Sequence, residues 1–199
     1  FKNLGALCHA LDIKYTLGVK RREAFKNGDK AELTRLAKEE YKGFLSVTDI
    51  QGSSTAWLMI QALVDAYGED EAQVILKGIY ENAGAHLEQS GSGPLKKVRA
   101  GEVAIGFGLR HQAVADKAEG LPIDYIDPVE GNFSLTESIA VINKADNTNP
   151  LAMEMAECII EKGRSGIQEY YPNAIYEGET VDATNQSAYP RVFTEKLKR

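Results

Sequence analysis

The rhythm of apolar and polar positions along this chain changes near residue 42. Residues 1–19 mix apolar and polar positions and are hard to type. Residues 20–41 (KRREAFKNGDKAELTRLAKEEY) are charged and read as a helix in two pieces, broken at Asn27-Gly28. Beyond residue 42, short apolar runs alternate with longer amphipathic ones. FLSV (44–47) reads as a strand. Trp57, Ile60, Leu63, Val64 and Tyr67 then recur at helical spacing and predict a helix over 54–67, with Gly68 as its stop. A second helix is predicted over 69–82, with Ala72, Ile75, Leu76 and Ile79 on its inner face. AHLEQ (85–89), EVAIGFG (102–108), PIDYIDP (122–128) and SIAVIN (138–143) read as further strands. Helices are predicted up to residue 100, over 110–120, from Asn149-Pro150 to Lys162, and briefly from Ser165. Residues 177–199 read as irregular and then helical. Strands alternating with helices of these lengths predict an α/β fold with a largely parallel sheet. Such sheets bind ligands beyond the carboxyl ends of their strands, at helix N-termini.

Three loops leave a predicted strand and enter a predicted helix. The first is Gly52-Ser53-Ser54-Thr55. A helix N-terminus carries unpaired N–H groups and partial positive charge. Glycine lets a ligand approach and hydroxyls add donors, a combination suited to phosphate, phosphonate, sulfate or carboxylate. The same residues also read as a plain N-cap, which needs only one hydroxyl. No lysine follows at P-loop distance. The second loop is Ser90-Gly91-Ser92-Gly93-Pro94, which offers amides and hydroxyls or serves simply as a flexible turn. The third is Gly108-Leu109-Arg110-His111. Arginine presents a planar fork of donors to an oxyanion, and His111 can donate beside it. The alternative is a surface arginine and a capping histidine.

Composition narrows the classes. The chain has 199 residues, is 43% hydrophobic and 26% charged, and carries a net charge of −6 with a pI near 5.2. Bulk electrostatics therefore disfavour nucleic acid as a partner. The cysteines are Cys8 and Cys158, read as buried or free thiols ahead of one long-range disulfide; no Cys/His spacing suggests zinc, and no metal or cofactor is expected. No apolar run reaches membrane-spanning length. The first fifteen residues lack the order of a signal peptide. The chain begins at Phe1, which reads as a fragment or a processed chain. No nucleophile elbow or paired-carboxylate motif is present. A histidine phosphatase would carry Arg-His-Gly early in the chain, whereas Gln112 follows the late Arg110-His111 pair. The expectation is a binding protein, not an enzyme.

From residue 41 onward the order of motifs resembles ABC-transporter substrate-binding proteins of the extracellular solute-binding family 1, the group of ferric-iron, 2-aminoethylphosphonate and sugar-phosphate binders. The matching pieces are EEYKGFLSVTDIQGSSTAW, ALVDAYGEDEAQVILKGIYENAG, QSGSGPLKKVRAGEVAIGFG, GLPIDYIDPVEGNF, ESIAVINKADNTNPLAMEMAECII and IQEYYPNAIY. The resemblance implies a type II periplasmic-binding-protein-like α/β fold, with one nearly complete lobe and part of the other. Residues 42–128 would be lobe two, 129–199 the return crossing and C-terminal helices of lobe one, and 1–41 the end of lobe one or a crossing segment. In full-length members a secretion signal and most of lobe one precede this region. The resemblance further implies capture of a small ligand in the cleft by a monomer, and the three donor loops make the expected ligand an anion, phosphonate- or phosphate-ester-like. The resemblance also implies delivery to an ABC permease in the membrane, and a periplasmic location or an extracellular lipoprotein. Ser53, Ser54, Thr55, Ser90, Gly91, Ser92 and Arg110 would hold the oxyanion, and His111 and Glu137 would read the rest of the molecule, Glu137 reading equally as a plain strand-end carboxylate. Ferric-iron binders carry adjacent tyrosines where Arg110 and His111 stand, and a cation-repelling arginine moves the expected ligand from cation to anion. A ferric-iron binder is the alternative reading, and a phosphatase using His111 a further one.

Overall fold

Strand β1 (Leu45–Thr48) is central, and all four of its residues are buried. Strands β2 (Leu87–Glu88) and β3 (Ile105–Gly106) flank it in the order β2-β1-β3, both parallel to it. Val47 and Thr48 register with Leu87 and Glu88, and Leu45 and Ser46 with Ile105 and Gly106. The computed structural model describes residues 32–134, 136 and 138–193. On a central strand covered on both faces a polar side chain generally finds its partner locally, although Thr48 Oγ1 in β1 meets none among the described residues. Ser46 finds one by donating its hydroxyl to the His86 carbonyl at 2.8 Å.

Helices α1 (Ser54–Tyr67) and α2 (Glu69–Ala83) lie between β1 and β2 in sequence. Gly68 separates them with φ +81, a left-handed conformation that costs glycine little. On α2 the predicted Ala72, Ile75 and Ile79 are buried. On α1 the inner face is rotated from the predicted stripe: Ala56, Met59, Ala62 and Leu63 are buried, and Trp57 is 42% exposed. Small alanines carry little weight in a stripe of large side chains, yet they let a helix approach its neighbours closely. Leu45, Val47, Met59, Leu63, Ile75 and Ile79 form the heart of one core cluster with Leu33, Leu36, Tyr41 and Phe133. Residues 33–41 are 3₁₀ turns, Leu33–Ala37 and Glu39–Tyr41, rather than the end of a long helix. Asn82 pins them: its side-chain amide donates to the carbonyls of Leu36 and Lys38, each at 2.8 Å. The predicted helical break at Asn27-Gly28 lies outside the described residues, as do Cys8 and the end of the chain from residue 194; Cys158 is exposed.

Helix α3 (Gly93–Arg99) connects β2 to β3, and α4 (Arg110–Ala118) follows β3. Residues 122–128, read as a strand, form no ladder in the structure. Their two carboxylates bind cations two turns apart on α4 instead. Asp124 pairs with Lys117 at 2.9 Å and Asp127 with Arg110 at 2.7 Å. Strand β4 (Asn132–Phe133) then pairs in parallel with β5 (Pro190–Arg191).

The described residues divide into two compact units: 32–134 with 187–193, and 136 with 138–186. In the second unit SIAVIN is irregular and mostly exposed. An apolar run becomes a strand only where a neighbour satisfies its backbone groups, and no described residue pairs with it. Helices α5 (Ala152–Lys162) and α6 (Arg164–Tyr170) follow. The Arg164 guanidinium donates to both carboxylate oxygens of Glu179, at 2.6 and 2.7 Å, and to the Asn173 carbonyl. Glu179 also accepts the amides of Ile175 and Tyr176. Bonding to Arg164 first, and to those amides second, holds the Glu179 carboxyl down at about 2, against an ordinary value of 4.5. A carboxyl depressed in the folded state stabilises above its unfolded value and loses that contribution as pH falls through its folded one. The loop over 171–179 should therefore loosen as pH drops from about 4.5 toward 2. Amide exchange of that loop measures this; Glu179→Gln should make its exchange independent of pH in that window once intrinsic rates are divided out, and a persisting pH dependence would refute the clamp.

Candidate functional site

The loops that leave β1, β2 and β3 converge at the carboxyl end of the sheet, because the three strands are parallel neighbours. Three glycines record how closely. A Cβ at Gly52 would stand 2.5 Å from Gln89 Oε1, so the first loop touches the end of β2. A Cβ at Gly91 would collide with Thr55 Oγ1 and lie 3.5 Å from Leu109 Cδ1. One at Gly108 would lie 3.4 Å from the Gly91 carbonyl. The second loop is thus seated between the first and the third. The glycines permit loop-on-loop contact, and the space before Gly52 is taken by Gln89 rather than open to a ligand.

The hydroxyls divide into internal and presented ones. Ser53 is the N-cap of α1 and accepts the Thr55 amide at 3.2 Å. Thr55 is buried against Gly91. Ser54 and Ser90 are exposed and Ser92 is half-buried. The Ser90 and Ser92 hydroxyls lie 3.4 Å apart. Asp49 closes the rim by accepting the Gln51 amide and the Gln89 side chain, each at 3.1 Å. These bonds, the Gln51 amide foremost, hold its carboxyl below the usual range. It presents a fixed negative charge next to a site built from small donors.

Arg110 opens α4, with His111 half-buried in the same turn. The Arg110 guanidinium meets Asp127 in a fork, Nε to Oδ1 at 2.7 Å and Nη2 to Oδ2 at 3.3 Å. It also lies 4.6 Å over the Tyr125 ring. Asp127 further accepts Asn132 Nδ2 and the Ala188 amide, each at 3.0 Å. A pocket of about 190 Å³ opens beside this network. Leu33, Leu95, Ile105, Phe107 and Ile123 give it apolar walls, and Arg110, Asp127 and Asn132 are among its polar groups. An apolar cavity with a few convergent polar groups is the usual form of a small-molecule site.

The structure brings the loops that carry Ser53, Ser54, Thr55, Ser90, Gly91 and Ser92 together at one end of one sheet, with Arg110 and His111 opening the helix that follows the third loop; of these residues Arg110 alone lines the pocket, and its guanidinium is turned to Asp127. Glu137 lies outside the described residues. Asp49, Gln89, Tyr125, Asp127 and Asn132 escaped the sequence reading. One signal was available for Asp127: two carboxylates in a run read as a strand call for cations, and Arg110 and Lys117 stand seven residues apart on one helix. Among the described residues no cluster of three or more His, Cys, Asp or Glu side chains is placed to hold a metal ion. No described helix is long and apolar enough to cross a membrane.

No protein-family model matches the chain. Over 106 residues it is 29% identical to an uncharacterized protein of Haemophilus influenzae, a stretch that is 53% of this chain and 30% of the relative. It is also similar to the structure of the periplasmic binding protein AfuA from Actinobacillus pleuropneumoniae with exogenous fructose-6-phosphate bound. That similarity has 27% identity and a TM-score of 0.48, and covers 56% of this chain and 36% of that one. The chain thus spans about a third of the length of the proteins it matches.

Proposed function

We propose that this chain belongs to the solute-binding component of an ABC importer and takes a small phosphate-ester- or phosphonate-like anion at the carboxyl end of its β2-β1-β3 sheet. The convergence of the three loops on one another carries the reading. Supporting it, the contacts at Gly91 and Gly108 put the loop before α1, the serine loop and the loop that leads to Arg110 against one another. Helix-end amides and charge-assisted bonds from arginine hold oxyanions without a metal. In this reading Ser53, Ser54, Thr55, Ser90, Gly91, Ser92 and Arg110 surround the anion, and His111 and Glu137 contact the remainder of the ligand. Lobe two is 42–128, and 129–199 supplies the return crossing and helices of lobe one. The protein works as a monomer outside the cytoplasmic membrane, passes its ligand to a permease and performs no chemistry on it.

A thermal-shift panel of phosphate, fructose 6-phosphate, 2-aminoethylphosphonate, glycerol phosphate, sulfate and ferric citrate tests this. One organophosphorus compound should raise the melting temperature, since a ligand at one hundred times its Kd adds about 2.7 kcal/mol. Arg110→Ala should weaken that ligand tens-fold, from about 1.5–3 kcal/mol per charged hydrogen bond. A shift with iron alone, or unchanged affinity in the arginine variant, would overturn the assignment.

A further inference from the structure

We propose that Asp127 is a positioning residue for ligand binding, fixing the Arg110 guanidinium at the site while anchoring it to the β4–β5 strand pair. The proposal rests on the reading of Arg110 as an anion contact. Arginine brings a long side chain with many rotamers, and ordering it on binding costs affinity. A side chain already held in place avoids that cost. Asp127 is built to hold it. Each of its two carboxylate oxygens accepts two donors: Oδ1 takes Arg110 Nε and Asn132 Nδ2, and Oδ2 takes Arg110 Nη2 and the Ala188 amide. The side chain of Asp127 is 12% exposed, so water competes little for those bonds. The Tyr125 ring confines the guanidinium from its flat face. Asn132 is fixed in turn, because its side-chain amide also donates to Ser187 Oγ at 2.6 Å. Asn132 and Ala188 belong to the segments through which the chain leaves the first unit and returns to it. The arginine is thus referenced to β4 and to the segment leading into β5 rather than only to its own helix.

A double-mutant cycle decides the matter. Titration calorimetry with fructose 6-phosphate, and separately with inorganic phosphate, is run on the wild-type chain, Asp127→Asn, Arg110→Ala and the double variant. Asp127→Asn should weaken binding about tenfold or more in the wild-type background and change it less than twofold in the Arg110→Ala background. A merely structural Asp127 would weaken binding equally in both, which would overturn the proposal. Wild-type affinity in Asp127→Asn, or tighter binding because the carboxylate competed with the anion, would overturn it too. If Arg110→Ala binds like wild type, or neither probe binds the wild-type chain, the reading of the site falls first and the role of Asp127 with it. Should Asp127→Asn fail to fold, Asp127→Glu keeps the charge, displaces it by one methylene and takes its place in the cycle with the same expectations.

Discussion

Gly91→Ala should cost the chain about 1–3 kcal/mol of stability, the usual range for overpacking, and weaken ligand binding more than tenfold. The new methyl group would collide with Thr55 Oγ1 and press to 3.3 Å from Thr55 Cβ. Thr55 cannot swing aside cheaply, since it is buried in the first turn of α1 and β-branched residues there have few rotamers. The second loop must then lift off the first, and the serines it carries move with it. Gly52→Ala is a useful contrast. Its methyl would stand 2.5 Å from the far end of the Gln89 side chain, which can rotate away at the loss of its bond to Asp49. That variant should be the milder of the two. Adding Thr55→Ala to Gly91→Ala removes the obstructing hydroxyl and should recover most of the stability. It should not recover affinity, because Thr55 lies in the proposed site. Urea denaturation and calorimetry on the four proteins provide the comparison. Wild-type stability in Gly91→Ala would mean that the two loops are not in contact.

The loops were legible in the sequence because each follows a run with strand character and precedes one with helical period. Serine, glycine and proline mark such turns regardless of what lies across from them. Their mutual contact was not legible. It depends on strand order, which local pattern does not encode, and the glycines drew attention as ligand approaches when Gly52 and Gly91 make room for Gln89 and Thr55. Asp127 was hidden for the same reason: its partners stand 17 residues before it and 61 residues after it. Trp57 misled in the other direction. Its size dominates a hydrophobic stripe, yet packing selects Ala56 and Ala62 for the close approach. SIAVIN shows the limit of composition as a guide, because a strand is a property of a pair.

Glu130→Ala should be among the most destabilising single changes in the first unit, by about 3–5 kcal/mol, whereas Glu130→Gln should cost less, about 1–3 kcal/mol. Glu130 is 2% exposed. Its Oε1 accepts the Leu33 amide at 2.8 Å and the Tyr67 hydroxyl at 3.0 Å. Oε2 meets no donor among the described residues. Burial first, and the bond to Glu130 second, push the Tyr67 hydroxyl up to about 12. Alanine would strand the Leu33 amide and the Tyr67 hydroxyl without an acceptor and leave a cavity where the end of α1 meets the 3₁₀ turn at Leu33. Glutamine keeps one acceptor oxygen for both donors, and its loss comes from the two amide N–H donors it puts at the buried Oε2 position. Arg191 is insulated from either change, since its Nε donates at 3.2 Å to the Glu130 backbone carbonyl, not to the side chain. The discriminating quantity is the difference between the two variants in urea midpoint at constant m-value. Equal losses in both would show that the negative charge itself, rather than an acceptor at Oε1, holds the turn to the helix.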